Sequence, residues 1–330
     1  MNMGRTVSYE SIRHSAPVSL MNGGAPSGRR RKRQLTVRES LLYFGIVFII
    51  MLLIGSRLYI WTGSMPAASF IQQFFFLASA IAAVGILRAD FREVFPFRRP
   101  RAMAVGGIFV LLLAMYLAAD VFSLVSLYFW PDTVTGTSEK VTDLLLSLPL
   151  PVELLLAGFC PAICEEAMHR GVMFSGIRNS MRRHKWAACL LSGLLFGVFH
   201  MYPIRMVMPA LLGVIMAFLV WETGNMFYSC LLHFGYNTLL MLTSRAASSM
   251  YPDAAEDAQQ VLSGTVTGTS VIVLGILIPF LIYLGVWMVR RVTAVSVPDL
   301  VPEGKQRRTL LQIGLPTLGI ILLGIIVLLR

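Results

Sequence analysis

The 330 residues are 56% hydrophobic and only 14% charged, against about a quarter charged in a soluble domain, which excludes an ordinary water-soluble globule. The net charge of +11 sits in runs beside apolar segments without interleaved aromatics. That pattern orients a chain in a membrane and argues against nucleic-acid binding. Several uncharged stretches reach the ~20 residues a helix needs to cross hydrocarbon, and strand-length alternation is absent, so the fold class is an all-α polytopic membrane protein.

In chain order, residues 1–38 read as a basic, disordered cytoplasmic arm: a Gly/Pro/Ser-rich stretch runs into Arg29, Arg30, Arg31, Lys32 and Arg33. Residues 39–330 read as one helical membrane domain of about eight or nine helices. The spanning candidates are 40–56, 67–87, 102–127, 148–170, 186–203, 205–222, 225–243, 268–289 and 309–329. The first is long, starts near residue 40 and lacks a small-residue cleavage site, so it is not read as a cleaved signal. Cys160, Cys164, Cys189 and Cys230 lie in apolar segments and read as small buried hydrophobes.

The loops alternate in charge. Lys and Arg number six in 29–38, five in 88–101, four in 178–185 and five in 290–308. The opposite loops and the C-terminus hold only Arg57, Lys140, Arg205, Arg245 and Arg330, together with Asp132, Glu139, Asp143, Asp253, Glu256 and Asp257. Positive-inside bias then places the N-terminus in the cytoplasm and the C-terminus outside. Merging or splitting one span would reverse every later loop.

An ionisable group inside a spanning helix costs several kcal/mol by insertion scales, so each is a functional candidate. Glu165, Glu166, His169 and Arg170 share one segment, in which Glu166 and Arg170 are i,i+4 neighbours able to pair while Glu165 points elsewhere. His200 ends an apolar helix, and His233 and Asn237 share a face of a third. Taken singly, each group also fits an interfacial salt bridge or a helix–helix hydrogen bond. A chain turn near Arg183–Lys185 brings Glu165 and His200 to similar height, and a third helix can add His233 and Asn237. That set can activate water and stabilise an oxyanion. Asp120, Glu153 and Glu222 fall outside it, Asp120 expected at a wet crevice and the two glutamates near interfaces.

Glu-Glu-X-X-X-Arg at 165–170, Phe-X-X-X-His at 196–200 and His-X-X-X-Asn at 233–237, in this order, resemble the signature of the CPBP family. That family comprises the type II CAAX prenyl endopeptidases and bacterial relatives, including the Abi bacteriocin self-immunity proteins. The resemblance covers about residues 145–245. It implies an intramembrane endopeptidase in which Glu165 activates water, His200 assists, and His233 and Asn237 hold the oxyanion. Glu166 and Arg170 would be structural support. His169 takes a motif position that is commonly apolar and is expected to face another helix.

No cofactor is expected, although Glu165, His200 and His233 form a His₂Glu set that leaves a zinc enzyme as an alternative. Against zinc stands the lack of a His-Glu-X-X-His helix. A non-catalytic membrane scaffold or immunity protein is the alternative of a different class. A transporter ranks below both, because inverted repeats are not seen. The partners implied are the lipid bilayer and a membrane-embedded or lipid-modified peptide or protein substrate, with no nucleic acid. The compact architecture suggests a bacterial cell membrane. The aromatics Phe159, Phe174, Phe199, Phe227, Phe234 and Tyr236 could line a lipid groove or simply pack helices.

Overall fold

The computed structural model describes residues 33–131, 133–134, 148–250, 263–293, 300 and 304–329. Residues 1–32 of the expected arm, and the loop acids Asp132, Glu139, Asp143, Asp253, Glu256 and Asp257, lie outside the described residues. Among the described residues all regular structure is helical, apart from one isolated bridge between Arg33 and Ala89.

Helix α1, Val37–Thr62, starts where the sequence writes Thr-Val-Arg-Glu. The Thr36 hydroxyl accepts from the Glu39 amide, and the Glu39 carboxylate accepts from the Thr36 amide at 2.9 Å, a reciprocal capping box. The folded unit therefore begins earlier than residue 39: Leu35 is buried, its carbonyl accepts from Asn179, and the Val37 amide donates to Ser180. Gly63, in the left-handed conformation a Cβ disfavours, ends α1. Then follow α2, Met65–Ile86, the short α3, Phe91–Val94, and α4, Ala102–Phe129.

Residues 150–180 form one uninterrupted helical run of changing pitch. It passes from α5, Leu150–Glu153, through a π stretch, Leu154–Phe159, into α6, Cys160–Glu166. A second π stretch, Ala167–Met173, leads into α7, Phe174–Ser180. The remaining helices are α8, Lys185–Val198; α9, Pro203–Thr223; α10, Phe227–Met250; α11, Gly264–Gly275; α12, Ile278–Thr293; and α13, Gln306–Leu328.

Among the described residues, six stretches are long and apolar enough to cross a membrane: Val37–Gly55, Met65–Ile86, Ala102–Phe129, Pro203–Thr223, Gly264–Thr293 and Gln306–Leu328. The segments expected at 148–170, 186–203 and 225–243 are helical but do not qualify, so the count of eight or nine is not reproduced. The reason is physical. Helix α8 has 14 residues, about 21 Å at 1.5 Å per residue, short of the ~30 Å hydrocarbon core. The 148–170 segment is broken into short α and π pieces, and α10 carries His233, Asn237 and a polar end with Ser244, Arg245, Ser248 and Ser249.

Polarity is inverted relative to a soluble protein. Leu53 is 67% exposed and Ile60 73%, whereas Glu166 and His169 are 0% exposed and Arg170 1%. Apolar side chains face outward, as lipid requires, and the charges face the bundle interior. Where α4 meets α12, Gly107 and Gly285 oppose each other so closely that a Cβ on Gly107 would lie 2.9 Å from the Gly285 carbonyl oxygen. Small residues bring helix backbones together in the absence of a hydrophobic drive between helices.

The basic segments converge on one end. Arg182 donates to the Gln34 side chain at 2.6 Å, Lys185 pairs with Glu222 at 2.5 Å, and Arg290 reaches the same Glu222 oxygen at 3.4 Å. The Arg98 amide donates to Asn225 at 3.0 Å, and the Arg101 guanidinium donates to the Val292 carbonyl. At the other end, two sequence expectations need correcting. Arg245 belongs to α10 rather than to a loop, and Glu153 is buried rather than interfacial; the two pair at 2.8 Å, which is how an acid can be sequestered there.

Candidate active site

The change of pitch in the 150–180 run has a cause in the sequence. Pro161 has no amide N–H to give the carbonyl four residues back, that of Ala157, and its ring crowds the preceding turn. The helix widens into the π stretch just before it. The Asn237 side chain, from α10, donates to the Ala157 carbonyl at 3.0 Å. A π stretch often marks a functional site, and here Leu154–Phe159 and Ala167–Met173 bracket Glu165 and Glu166.

The two adjacent glutamates meet opposite environments. Glu166 Oε1 accepts from Arg170 Nη1 at 2.8 Å, with both side chains fully buried, the i,i+4 pair read from the spacing. The same oxygen accepts from His233 Nδ1 at 3.2 Å. Arg170 is held further by donation to the Gly213 carbonyl at 3.2 Å and by the face of Phe196, 4.3 Å from its guanidinium carbon. Glycine at 213 is required by this approach: a Cβ there would sit 2.9 Å from Gly193 Cα and 3.2 Å from Arg170 Nη2.

Glu165 is the more open carboxylate, its side chain 18% exposed. Gln73 Nε2, from α2, donates to its Oε1 at 2.8 Å, and its Oε2 lies 4.0 Å from His233 Nε2. Because a carboxylate only accepts, His233 carries its hydrogen on Nδ1 towards Glu166 and turns Nε2 towards Glu165. His233 thus spans both glutamates. His200 Nδ1 donates to the Phe196 carbonyl at 3.1 Å, which leaves its Nε2 available as a base. The His200 ring packs on Phe196 at 5.3 Å, the same ring that His233 meets edge-on at 5.6 Å. The next residue, Met201, sits at φ +60°, a strained conformation for a side chain with a Cβ.

The structure therefore brings together Glu165, Glu166, Arg170, His200 and His233, while the contact of Asn237 is with Ala157. His169 faces α1 and α8: its ring is edge-on to Phe196 at 4.9 Å and Phe199 at 5.3 Å, with Phe44 at 6.1 Å. Among the described residues, no group of three or more His, Cys, Asp or Glu side chains is placed to hold a metal ion, so Glu165, His200 and His233 do not fit the His₂Glu zinc set. Asp120 is partly buried in α4 and hydrogen-bonded by Tyr116. Of the aromatics, Phe174 is 1% exposed and packs in the core. Gln73 was not foreseen; the signal for it is a Gln72–Gln73 pair inside the otherwise apolar α2.

These three motifs and their contacts lie between Ala157 and Asn237, apart from Gln73 and Phe44. Residues 147–239 match the family model of the type II CAAX prenyl endopeptidase Rce1-like proteins. Over these residues the chain is similar to that family. This is a family of proteases, in line with the CPBP resemblance of the motifs, and with six long apolar helices it marks an integral membrane protein. No curated protein and no solved structure matched the chain.

Proposed function

We propose that this chain is an intramembrane endopeptidase that hydrolyses a peptide bond in a membrane-embedded or lipid-modified protein or peptide. One observation carries the reading: of two adjacent carboxylates, Glu166 is locked in a buried pair with Arg170, while Glu165 stays partly open and faces a histidine nitrogen. The 4.0 Å between Glu165 Oε2 and His233 Nε2 exceeds a direct hydrogen bond and suits a bridging water. Glu165 takes a proton from that water as its oxygen attacks the scissile carbonyl. His200 Nε2 shares the proton and passes it to the leaving amine. The second N–H of the Asn237 amide, beside the one given to Ala157, and a protonated His233 Nε2 are the donors for the oxyanion. Glu166, held by Arg170, accepts the Nδ1–H of His233, and donation to the oxyanion then requires the doubly protonated ring, with a second hydrogen on Nε2.

The convergence of the basic segments on one end supports a cytoplasmic N-terminus; the bacterial cell membrane is proposed from the compact architecture alone. The test of the chemistry is oxygen transfer. Full-length protein, incubated in H₂¹⁸O with membranes from cells that lack it, should yield new peptide C-termini carrying ¹⁸O. Glu165→Gln should yield none. Equal labelling by both proteins would remove Glu165 from the reaction.

A further inference from the structure

Two cavities open at the basic end and share one residue, Arg98. The first, about 710 Å³, lies between α2 and α6 and has mainly apolar walls, among them Leu77, Phe97 and Ile163, with Arg92 and Arg98 as its charged residues. The second, about 480 Å³, is polar and is lined by Arg98, Arg99 and Arg101 beside Asn225 and Tyr228. Among the described residues Glu222 is the single acid in either wall, and Lys185 at 2.5 Å and Arg290 at 3.4 Å already neutralise it.

The frame around Arg98 is fixed. Its amide donates to Asn225 at 3.0 Å, and the Asn225 side chain donates back to its carbonyl at 3.0 Å. The Arg101 amide donates to the Tyr228 hydroxyl at 2.8 Å. Arg92, Arg98 and Arg99 make no ion pair among the described residues. Clustered cations without acids repel one another, so the recess is complementary to an anion. The neighbouring slot is complementary to hydrocarbon, and its volume falls in the ~300–1,000 Å³ range of small-molecule sites.

We infer that the two cavities form one site for an anionic phospholipid, with its phosphate in the Arg98–Arg99–Arg101 recess and an acyl chain in the slot. Basic pockets between helices at a membrane face recognise lipid headgroups in this way. Neither cavity demands a lipid alone, since the recess would accept inorganic phosphate and the slot a neutral amphiphile. Their junction at Arg98 asks for both chemistries in one molecule. The slot wall is also shared with the active site: Ile163 and Ala167 flank Glu165 on the 150–180 run, and Leu77 stands one turn from Gln73. The lipid thus seats against the two helices whose spacing sets the Gln73–Glu165 contact. This inference goes beyond the peptidase reading and does not depend on it.

The test is thermal unfolding of the full chain in a neutral detergent, titrated separately with dioleoyl phosphatidylglycerol, dioleoyl phosphatidylcholine and inorganic phosphate. Phosphatidylglycerol should raise the midpoint by about 5 °C near saturation, and the other two should leave it in place. Arg98→Gln combined with Arg99→Gln should weaken phosphatidylglycerol binding about thirtyfold, from roughly a tenfold or smaller contribution of each cation. Arg183→Gln, an exposed charge at the same end, should not. Leu77→Trp, which fills the slot, should also weaken it. An equal rise with phosphatidylcholine overturns the headgroup assignment, a rise with phosphate alone overturns the lipid, and binding unchanged in the Arg98/Arg99 variant overturns the site. If the double variant unfolds below wild type without any lipid, retained phosphatidylglycerol counted by native mass spectrometry decides: parity with wild type overturns the site, and loss supports it.

Discussion

Glu166→Gln should destabilise the protein far more than Glu165→Gln, although the two residues are adjacent and the changes nearly isosteric. The Glu166–Arg170 pair is 2.8 Å long with neither side chain exposed. Two unit charges ~4 Å apart interact by about 4 kcal/mol at an effective dielectric of 20. Removing one partner of a buried pair costs about 3–5 kcal/mol, because the other charge stays buried without compensation. The amide retains an acceptor oxygen, so what is lost is charge rather than shape. For a chain of 330 residues this corresponds to a fall of about 4–7 °C in midpoint. Glu165 is partly open, and its Gln73 contact at 2.8 Å survives as an amide–amide bond, so Glu165→Gln should cost under ~1 kcal/mol. A double change, Glu166→Leu with Arg170→Met, removes both charges and should recover most of the loss. Thermal unfolding of the detergent-solubilised proteins decides the order. A larger fall for Glu165→Gln, or equal falls, would refute the division of labour between the two glutamates.

Three further outcomes follow from single contacts. Asn237→Ala should leave the Ala157 carbonyl without its donor and cost roughly 1–3 kcal/mol; adding Pro161→Ala, which restores a backbone N–H, should return the midpoint in unfolding assays but not a turnover loss of about 10²–10³ from the missing oxyanion donor. Gly213→Ala should force α8 and α9 apart and cost about 1–3 kcal/mol by overpacking, visible as a lowered midpoint; an unchanged midpoint would mean that the close approach is not needed. Reporter fusions near Arg98, Arg183 and Lys305 should report the cytoplasm and those near Thr135 and Asp257 the outside; the Arg98 and Thr135 positions on the same side would overturn the topology.

The membrane class and the site motifs were legible because both leave local signatures. A run without charges announces a span, and Glu166 with Arg170 at i,i+4 announces a pair that needs no third partner to be inferred. The start of α1 is marked by Thr36 and Glu39, a capping box that the boundary at residue 38 passes over by two residues. What the sequence hid depends on long-range meetings. Gln73 reaches Glu165 across 92 positions, and no pattern in α2 says which neighbour its amide will find. The link of Pro161, Ala157 and Asn237 joins a missing donor on one helix to a side chain 80 residues away. Glu153 reads as interfacial from the sequence because its partner, Arg245, lies 92 positions away on α10. The span count strained for a related reason: helices that build a polar site are less apolar than those that face lipid.

The central claim is that Glu165 makes this membrane protein a peptidase, and the most direct measurement is a comparison of peptide termini in membrane fractions from cells producing wild type or Glu165→Gln at equal levels. The account predicts a set of new termini, in membrane-associated proteins, present with wild type and absent with the variant, whose uncut precursors accumulate. The same termini at the same abundance in both fractions would contradict it.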